Sequence, residues 1–290
     1  MNAFTIKDLE NLSGVKAHTI RIWEQRYSFL KPQRTGTNIR YYSNEELKVI
    51  LNVAILNKYG YKISHIDKMD MEEINRNIVT LSYTNAQQER TVKELISFMI
   101  DLNLDAFEEL LDNNIQSKGI ETIINNVIFP FLEKIGVLWL TSHINPAQEH
   151  LVTNIIRQKI VVGIENTVAK SEADKLALLF LPEGEHHELG LLYVHYLLKS
   201  RGVKTLYLGA NVPLADLNFI VQLKKPDYIY SHLTGAAANF NFEKFFKNLH
   251  SGIPDTPVVI SGSITLGYKK ALPANIQFKK SLAEVLEFCV

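Results

Sequence analysis

The segment Glu183-Gly184-Glu185-His186-His187-Glu188-Leu189-Gly190 sets two imidazoles among three carboxylates. A neutral imidazole ligates transition metals, and a nearby carboxylate can hold its other ring N–H and raise its basicity. Glycine at 190 permits close approach by a bulky group. The pattern suits a metal-ligating loop, and it also suits a solvated polar loop. A second group of residues is basic. In the run from Lys31 to Tyr42, Arg34 and Arg40 flank a glycine-containing turn that also holds Asn38, and Tyr41 and Tyr42 follow. Cationic and phenolic groups on such a turn suit contact with phosphates. Thiol chemistry is excluded at the outset. Cys289 is the only cysteine, so neither an internal disulfide nor a multi-thiolate metal site can form.

Charge points the same way as the basic run. The 290-residue chain is neutral overall, but residues 1–66 hold ten Lys/Arg against five Asp/Glu, and the compensating negative excess lies beyond them. Such segregation suggests that one end meets a polyanion. Hydrophobic residues make up 46% of the chain, enough for buried cores. No apolar run approaches membrane-spanning length, and Lys7, Asp8 and Glu10 interrupt any signal-peptide pattern. A cytoplasmic protein without membrane contact is the expectation.

Three textures divide the chain into expected domains at 1–75, 76–170 and 175–290. Tyr83-Thr84-Asn85-Ala86 and Ser171-Glu172-Ala173-Asp174 are the candidate linkers. In the first region Thr5 caps a helix from Ile6 to about Leu12, Ser13-Gly14 makes a tight turn, and a second helix runs from about Ala17 to Tyr27. Ile20 and Trp23 share its inner face, leaving His18, Thr19, Arg21 and Gln25 outward. This is helix-turn-helix geometry, offering the second helix to a major groove, and a two-stranded wing follows before a helix capped by Ser43. The middle region reads as helices over about 89–102, 105–117, 121–140 and 146–168, a bundle with Phe131, Ile135 and Leu138 in its core. The last region alternates strands with helices. The strands are Lys175–Pro182, Val203–Gly209, Asp227–Ser231, Pro257–Ser261 and Ile276–Lys279, with a closing helix after them. Alternation of this kind predicts a doubly wound parallel sheet whose ligands bind at the strands' carboxyl ends. The fold class is therefore multidomain, α and α/β.

The first region resembles the MerR family. The resemblance rests on Thr5-Ile6, on Thr19-Ile20-Arg21-Ile22-Trp23-Glu24-Gln25-Arg26-Tyr27, and on the wing from Arg34 to Ser43, which ends Arg-Tyr-Tyr-Ser. It implies a winged helix-turn-helix that binds double-stranded operator DNA through His18, Thr19, Arg21, Arg34, Asn38, Arg40, Tyr41 and Tyr42.

Glu185-x-His187-x-x-Gly190 resembles the Asp/Glu-x-His-x-x-Gly signature of cobalamin-binding domains. That resemblance implies a Rossmann/flavodoxin-like fold in which His187 ligates cobalt from below and Glu185 supports it. Ser231-x-Leu233 matches the element beside the cofactor's nucleotide tail, and Gly262-Ser263 stands where the family has Gly-Gly. Trp139, Glu149 and His150 match the Trp-x9-Glu-His motif of light-responsive, CarH-like MerR regulators, which implies a four-helix cap over the upper face of adenosylcobalamin. Leu140 stands where some relatives carry a histidine. The expectation that follows is a non-enzymatic regulator, a repressor, controlled by adenosylcobalamin and light through assembly into a homo-oligomer, a tetramer when liganded. A regulator answering another ligand or protein partner, a cobalamin sensor indifferent to light, and a corrinoid subunit of a methyltransferase are the alternatives.

Overall fold

A computed structural model describes residues 4–36, 38–80, 84–140, 144–169, 173–234 and 240–289, with the side chains of 79–80, 84–85 and 137–140 outside the description. Packing divides the chain into two compact units, Met1–Ile156 and Arg157–Val290.

The first unit begins with α1 (Ile6–Ser13) and α2 (Ala17–Arg26). Thr5 closes a capping box with Asp8, and Gly14 ends α1 at φ +75°, a conformation that costs glycine little. Leu9, Leu12, Ile20 and Trp23 are buried together, as their spacing predicts. The wing is an antiparallel pair, β1 (Gln33–Arg34) and β2 (Arg40–Tyr41), and Tyr42 bridges back to Phe4. Ser43 and Glu46 form a second capping box at the start of α3 (Asn44–Lys58), which buries Leu47, Ile50 and Leu51. Two further helices follow, α4 (Ile63–Ile66) and α5 (Met71–Thr80). The second of these begins inside the region that the sequence patterns leave without a named helix.

The bundle is formed by α6 (Thr84–Ile100), α7 (Leu104–Lys118), α8 (Ile120–Ile123), a π-helical turn (Ile124–Ile128), α9 (Phe129–Leu140) and α10 (Pro146–Glu165). The single helix expected over 121–140 is therefore interrupted. The cause is Pro130, which lacks an N–H and whose ring would strike the carbonyl four residues earlier, at Asn126. Widening the turn there to π geometry relieves the clash. Phe107 and Phe131 pack at 5.5 Å in the core, and Ile135 is buried beside them. The candidate linker residues 83 and 171–172, and the side chain of Leu138, lie outside the described residues.

The second unit holds the sheet. Its elements are β3 (Ala173–Pro182), α11 (Leu189–Ser200), β4 (Val203–Val212), α12 (Leu214–Lys224), β5 (Tyr228–His232), α13 (Phe242–Gly252), β6 (Val258–Ser261), α14 (Ile264–Gly267), β7 (Ile276–Phe278) and α15 (Leu282–Phe288). All neighbouring strands are parallel, in the order β4-β3-β5-β6-β7. Alternate side chains serve opposite faces. Leu178, Phe180, Ile229 and Val258 join a core with α12 and α13. Tyr228 and Tyr230 point the other way, against Phe288 of α15. Both faces are covered, which is why the strands read as unbroken apolar runs. Chain order reverses between β3 and β5, so the crevice at their carboxyl ends is the expected ligand position.

Candidate functional site

The reader's outward face carries His18, Arg21 and Gln25 exposed and Thr19 partly so. At the wing tip Arg34 Nη1 donates to Asn38 Oδ1 at 2.7 Å, and Asn38 has φ +64°. Tyr41 donates its hydroxyl across the wing to Gln33 Oε1 at 2.5 Å. Arg40 and Tyr42 are held differently. Arg40 Nε donates to Glu24 Oε2 at 2.9 Å, and the Tyr42 hydroxyl donates to Glu24 Oε1. Tyr42 is fully buried, which corrects its expected place at the DNA surface. Its aromatic ring fills the reader's core, and its hydroxyl ties the wing to α2. Burial, with Glu24 beside it, drives the phenol well above its ordinary pKa. Glu24 is the residue that the motif contained but that pattern reasoning gave no task. Arg34, exposed and without a carboxylate partner among the described residues, is the cleaner probe of phosphate contact. Arg34→Ala is expected to leave stability within about 0.5 kcal/mol and to lower the salt slope of DNA binding by about one. DNA titration at several salt concentrations checks this, and an unaltered slope removes Arg34 from the interface.

The loop after β3 is organised by one buried carboxylate. Glu185 is fully enclosed. Its Oε1 accepts from the backbone N–H groups of His186 and His187, each at 3.0 Å, and from His187 Nδ1 at 2.6 Å. Its Oε2 accepts from Thr234 N at 3.1 Å, in the loop after β5. A neutral imidazole that donates from Nδ1 carries its lone pair on Nε2. The His187 side chain is 65% exposed, with its ring anchored at Nδ1. The second carboxylate of the loop with a partner, Glu188, accepts from Tyr207 Oη at 3.1 Å and pairs with Arg157 at 3.1 Å. His186 and Glu183 are exposed. No group of three His, Cys, Asp or Glu capable of caging a bare metal ion occurs among the described residues.

The adjoining strand ends complete the crevice. Ser231 on β5 is buried, and its hydroxyl has no hydrogen-bond partner among the described residues. Such an orphan costs free energy unless a further polar group reaches it. Gly262 follows β6 at φ +100°, and a side chain there would strike the Leu233 backbone. Ser263 turns its hydroxyl to the Thr234 carbonyl at 2.9 Å. The close approach at Gly190 is made by the His232 ring, which a Cβ at 190 would hit. His232 itself bonds Ser261 Oγ through Nδ1 at 2.7 Å. Sequence reasoning passed over His232, the unassigned centre of Ser231-x-Leu233.

Burial pushes the His232 imidazole down to about 4, against a smaller opposing pull from Glu185. The unfolded chain takes up a proton near pH 6.5 that the folded chain refuses until about 4. Stability is therefore complete above about pH 6.5 and falls as pH drops through that window. The expected loss from this group between pH 7 and 5 is about 1–2 kcal/mol, allowing for the ring's partial exposure. Denaturation of the intact chain and of His232→Asn at both pH values checks this; equal pH dependence in the two would remove His232 as its source.

In the first unit, Glu149 and His150 sit together in the first turns of α10, with His150 Nδ1 3.0 Å from Glu149 Oε2 and the imidazole side chain 72% exposed. Trp139 belongs to α9, but its side chain, that of Leu140 and residue His143 lie outside the described residues.

Residues 4–72 match the family model for the MerR HTH family regulatory protein, and residues 91–162 match that for a B12 binding domain. Over 284 residues the chain is 28% identical to the HTH-type transcriptional repressor CarA of Myxococcus xanthus, covering 97% of this chain and 93% of that protein. It is 26% identical to the repressor CarH of the same organism, covering 90% and 89%. The monomethylamine corrinoid protein of Methanosarcina barkeri shares the fold, with a TM-score of 0.53 and 14% identity over 69% of this chain and 97% of that one.

Proposed function

We propose that this chain, a MerR-type DNA-binding transcriptional regulator with a B12-binding domain, is a repressor whose grip on DNA is set by adenosylcobalamin and by light. The observation that carries the proposal is the Glu185–His187 pair at the β3–β5 switch point, with the orphaned Ser231 hydroxyl on β5. His187 would hold the cobalt through Nε2, Glu185 would fix the ring, and Ser231, Leu233, Gly190 and Gly262 would hold the nucleotide tail. Trp139, Glu149 and His150 would line the upper side. When bound, the cofactor supplies a cobalt–carbon bond that light can break.

The chain's own part is mechanical. Glu185 fixes the tautomer of His187, and Thr234 ties the loops after β3 and β5 together through the same carboxylate. A ligand shifts assembly only through different affinities for two states, so the liganded chain must self-associate more strongly than the free one. Linked readers on repeated operator sites then bind far more tightly than one reader alone. A tetramer in the cytoplasm is the proposed liganded form. No helix among the described residues is long and apolar enough to cross a membrane. Likeness to two repressors supports regulation without turnover.

Size-exclusion chromatography with absorbance detection tests this. Protein mixed with adenosylcobalamin in the dark is expected to co-elute with the cofactor as an oligomer and to shrink after green light. Failure to co-elute sinks the cofactor assignment. Co-elution without a light-dependent change in size removes photoreception and leaves a cobalamin sensor.

A further inference from the structure

A cavity lies within the first unit. It encloses about 630 Å³ between the α1–α2 turn, α3, α6, the π turn and α9. Much of its wall is aliphatic, from Val15, Leu51, Ala54, Val92, Ile96 and Pro130, with Gln88, Glu89 and Asn126 among the polar residues that complete it. Three lysines enter it. Lys58 is paired with Glu89. Lys93 and Lys134 have no carboxylate partner among the described residues; Lys134 donates instead to the Leu12 carbonyl, and the neighbouring Glu94 is taken by Arg90 at 2.9 Å. Among the described lining residues Glu89 is the one carboxylate; it is paired with Lys58 and also acts on Lys134, so three ammonium groups share one negative charge, and the buried excess is costly unless a further anion joins them. Burial holds Lys93 down at about 8 and keeps Lys134 below the ordinary lysine value, which fits ammonium groups short of anionic company.

We propose that this cleft binds a small amphipathic anion, a carboxylate with an aliphatic tail, headed by Lys93 and Lys134. Charge complementarity selects the head group, and the aliphatic walls select the tail. Lys93 comes from α6 and Lys134 from α9, two helices that line the same cleft. The cleft also touches Leu12, Ser13, Gly14 and Val15, the turn immediately before the recognition helix α2. An occupant therefore braces the reader's turn against the bundle. The site uses no residue assigned to the cobalamin loop, so it stands or falls separately from that assignment.

Isothermal titration of the full-length, cobalamin-free protein with decanoate, below its micelle concentration, tests the site. One saturable site per chain is expected. Lys93→Gln/Lys134→Gln is expected to weaken it tenfold or more, and Ala54→Phe, which fills the cleft, to abolish it. Circular dichroism confirms that each variant is folded; if Ala54→Phe is not, the paired glutamine variant and the single Lys93→Gln decide. Absence of saturable binding up to millimolar decanoate overturns the proposal. So does equal binding of decyltrimethylammonium, or affinity unchanged in the glutamine variants.

Discussion

Glu185→Ala is expected to destabilise the sheet unit by about 3 kcal/mol and to weaken cobalamin binding ten- to a hundredfold. Four donors end on this one fully buried carboxylate: three from His186 and His187 and one from Thr234. Truncation strands them, and each stranded buried donor costs about 1 kcal/mol or more unless water enters. It also frees the His187 ring to change tautomer and rotamer, so the Nε2 lone pair is no longer pre-aimed. His187→Ala separates the two effects. That ring is mostly exposed, so its loss is expected to cost under about 1 kcal/mol of stability while removing the proposed cobalt ligand altogether. Denaturant melts and absorbance titration with cobalamin measure both quantities. If His187→Ala destabilises as much as Glu185→Ala, the carboxylate is not the organiser of the loop. If Glu185→Ala leaves cobalamin affinity unchanged, it does not serve the axial ligand.

In the first unit the largest effect is expected at Glu24. Glu24→Ala removes the acceptor of the buried Tyr42 hydroxyl and the partner of Arg40 in a single change. An orphaned buried phenol and a released guanidinium together are worth about 3 kcal/mol. DNA affinity is expected to fall with it, because α2 and the wing lose the link that sets their relative position. Tyr42→Phe is the milder change, at about 1 kcal/mol, since the ring still fills the core. The double variant Glu24→Ala/Tyr42→Phe is expected to cost less than the two single costs combined, because the phenol is no longer stranded. Additive costs in denaturant melts would show that the two side chains are not coupled. The salt slope distinguishes this role from that of Arg34. Glu24→Ala should lower affinity at every salt concentration alike, whereas Arg34→Ala should flatten the slope.

Local chemistry explains what was legible in the chain before any coordinates. Thr5 and Ser43 announce helix starts because a capping side chain reaches only three residues along. The apolar runs of β3, β5 and β6 announce a parallel sheet because both faces are covered. Glu185 and His187 are two residues apart, so their contact is local, and the motif that contains them already names the pair.

Other features depend on groups far apart in sequence. Tyr42 looked like a surface phenol beside basic residues; its burial follows from Glu24, eighteen positions earlier, and from the bridge to Phe4. Pro130 stood in the open, but its answer, a π turn rather than a broken helix, was set by the bundle packed around it. Gly190 signalled a close approach without saying by what, and the His232 ring arrives from another strand. The strand order, the orphaned Ser231 hydroxyl and the lysine-lined cleft have no local signature at all. The amino-acid sequence by itself determined the caps, the apolar periodicities and the short-range motifs, because these obey interactions within a few residues along the chain. Only the tertiary structure decided which polar groups are buried and who satisfies them, because desolvation depends on every element packed nearby.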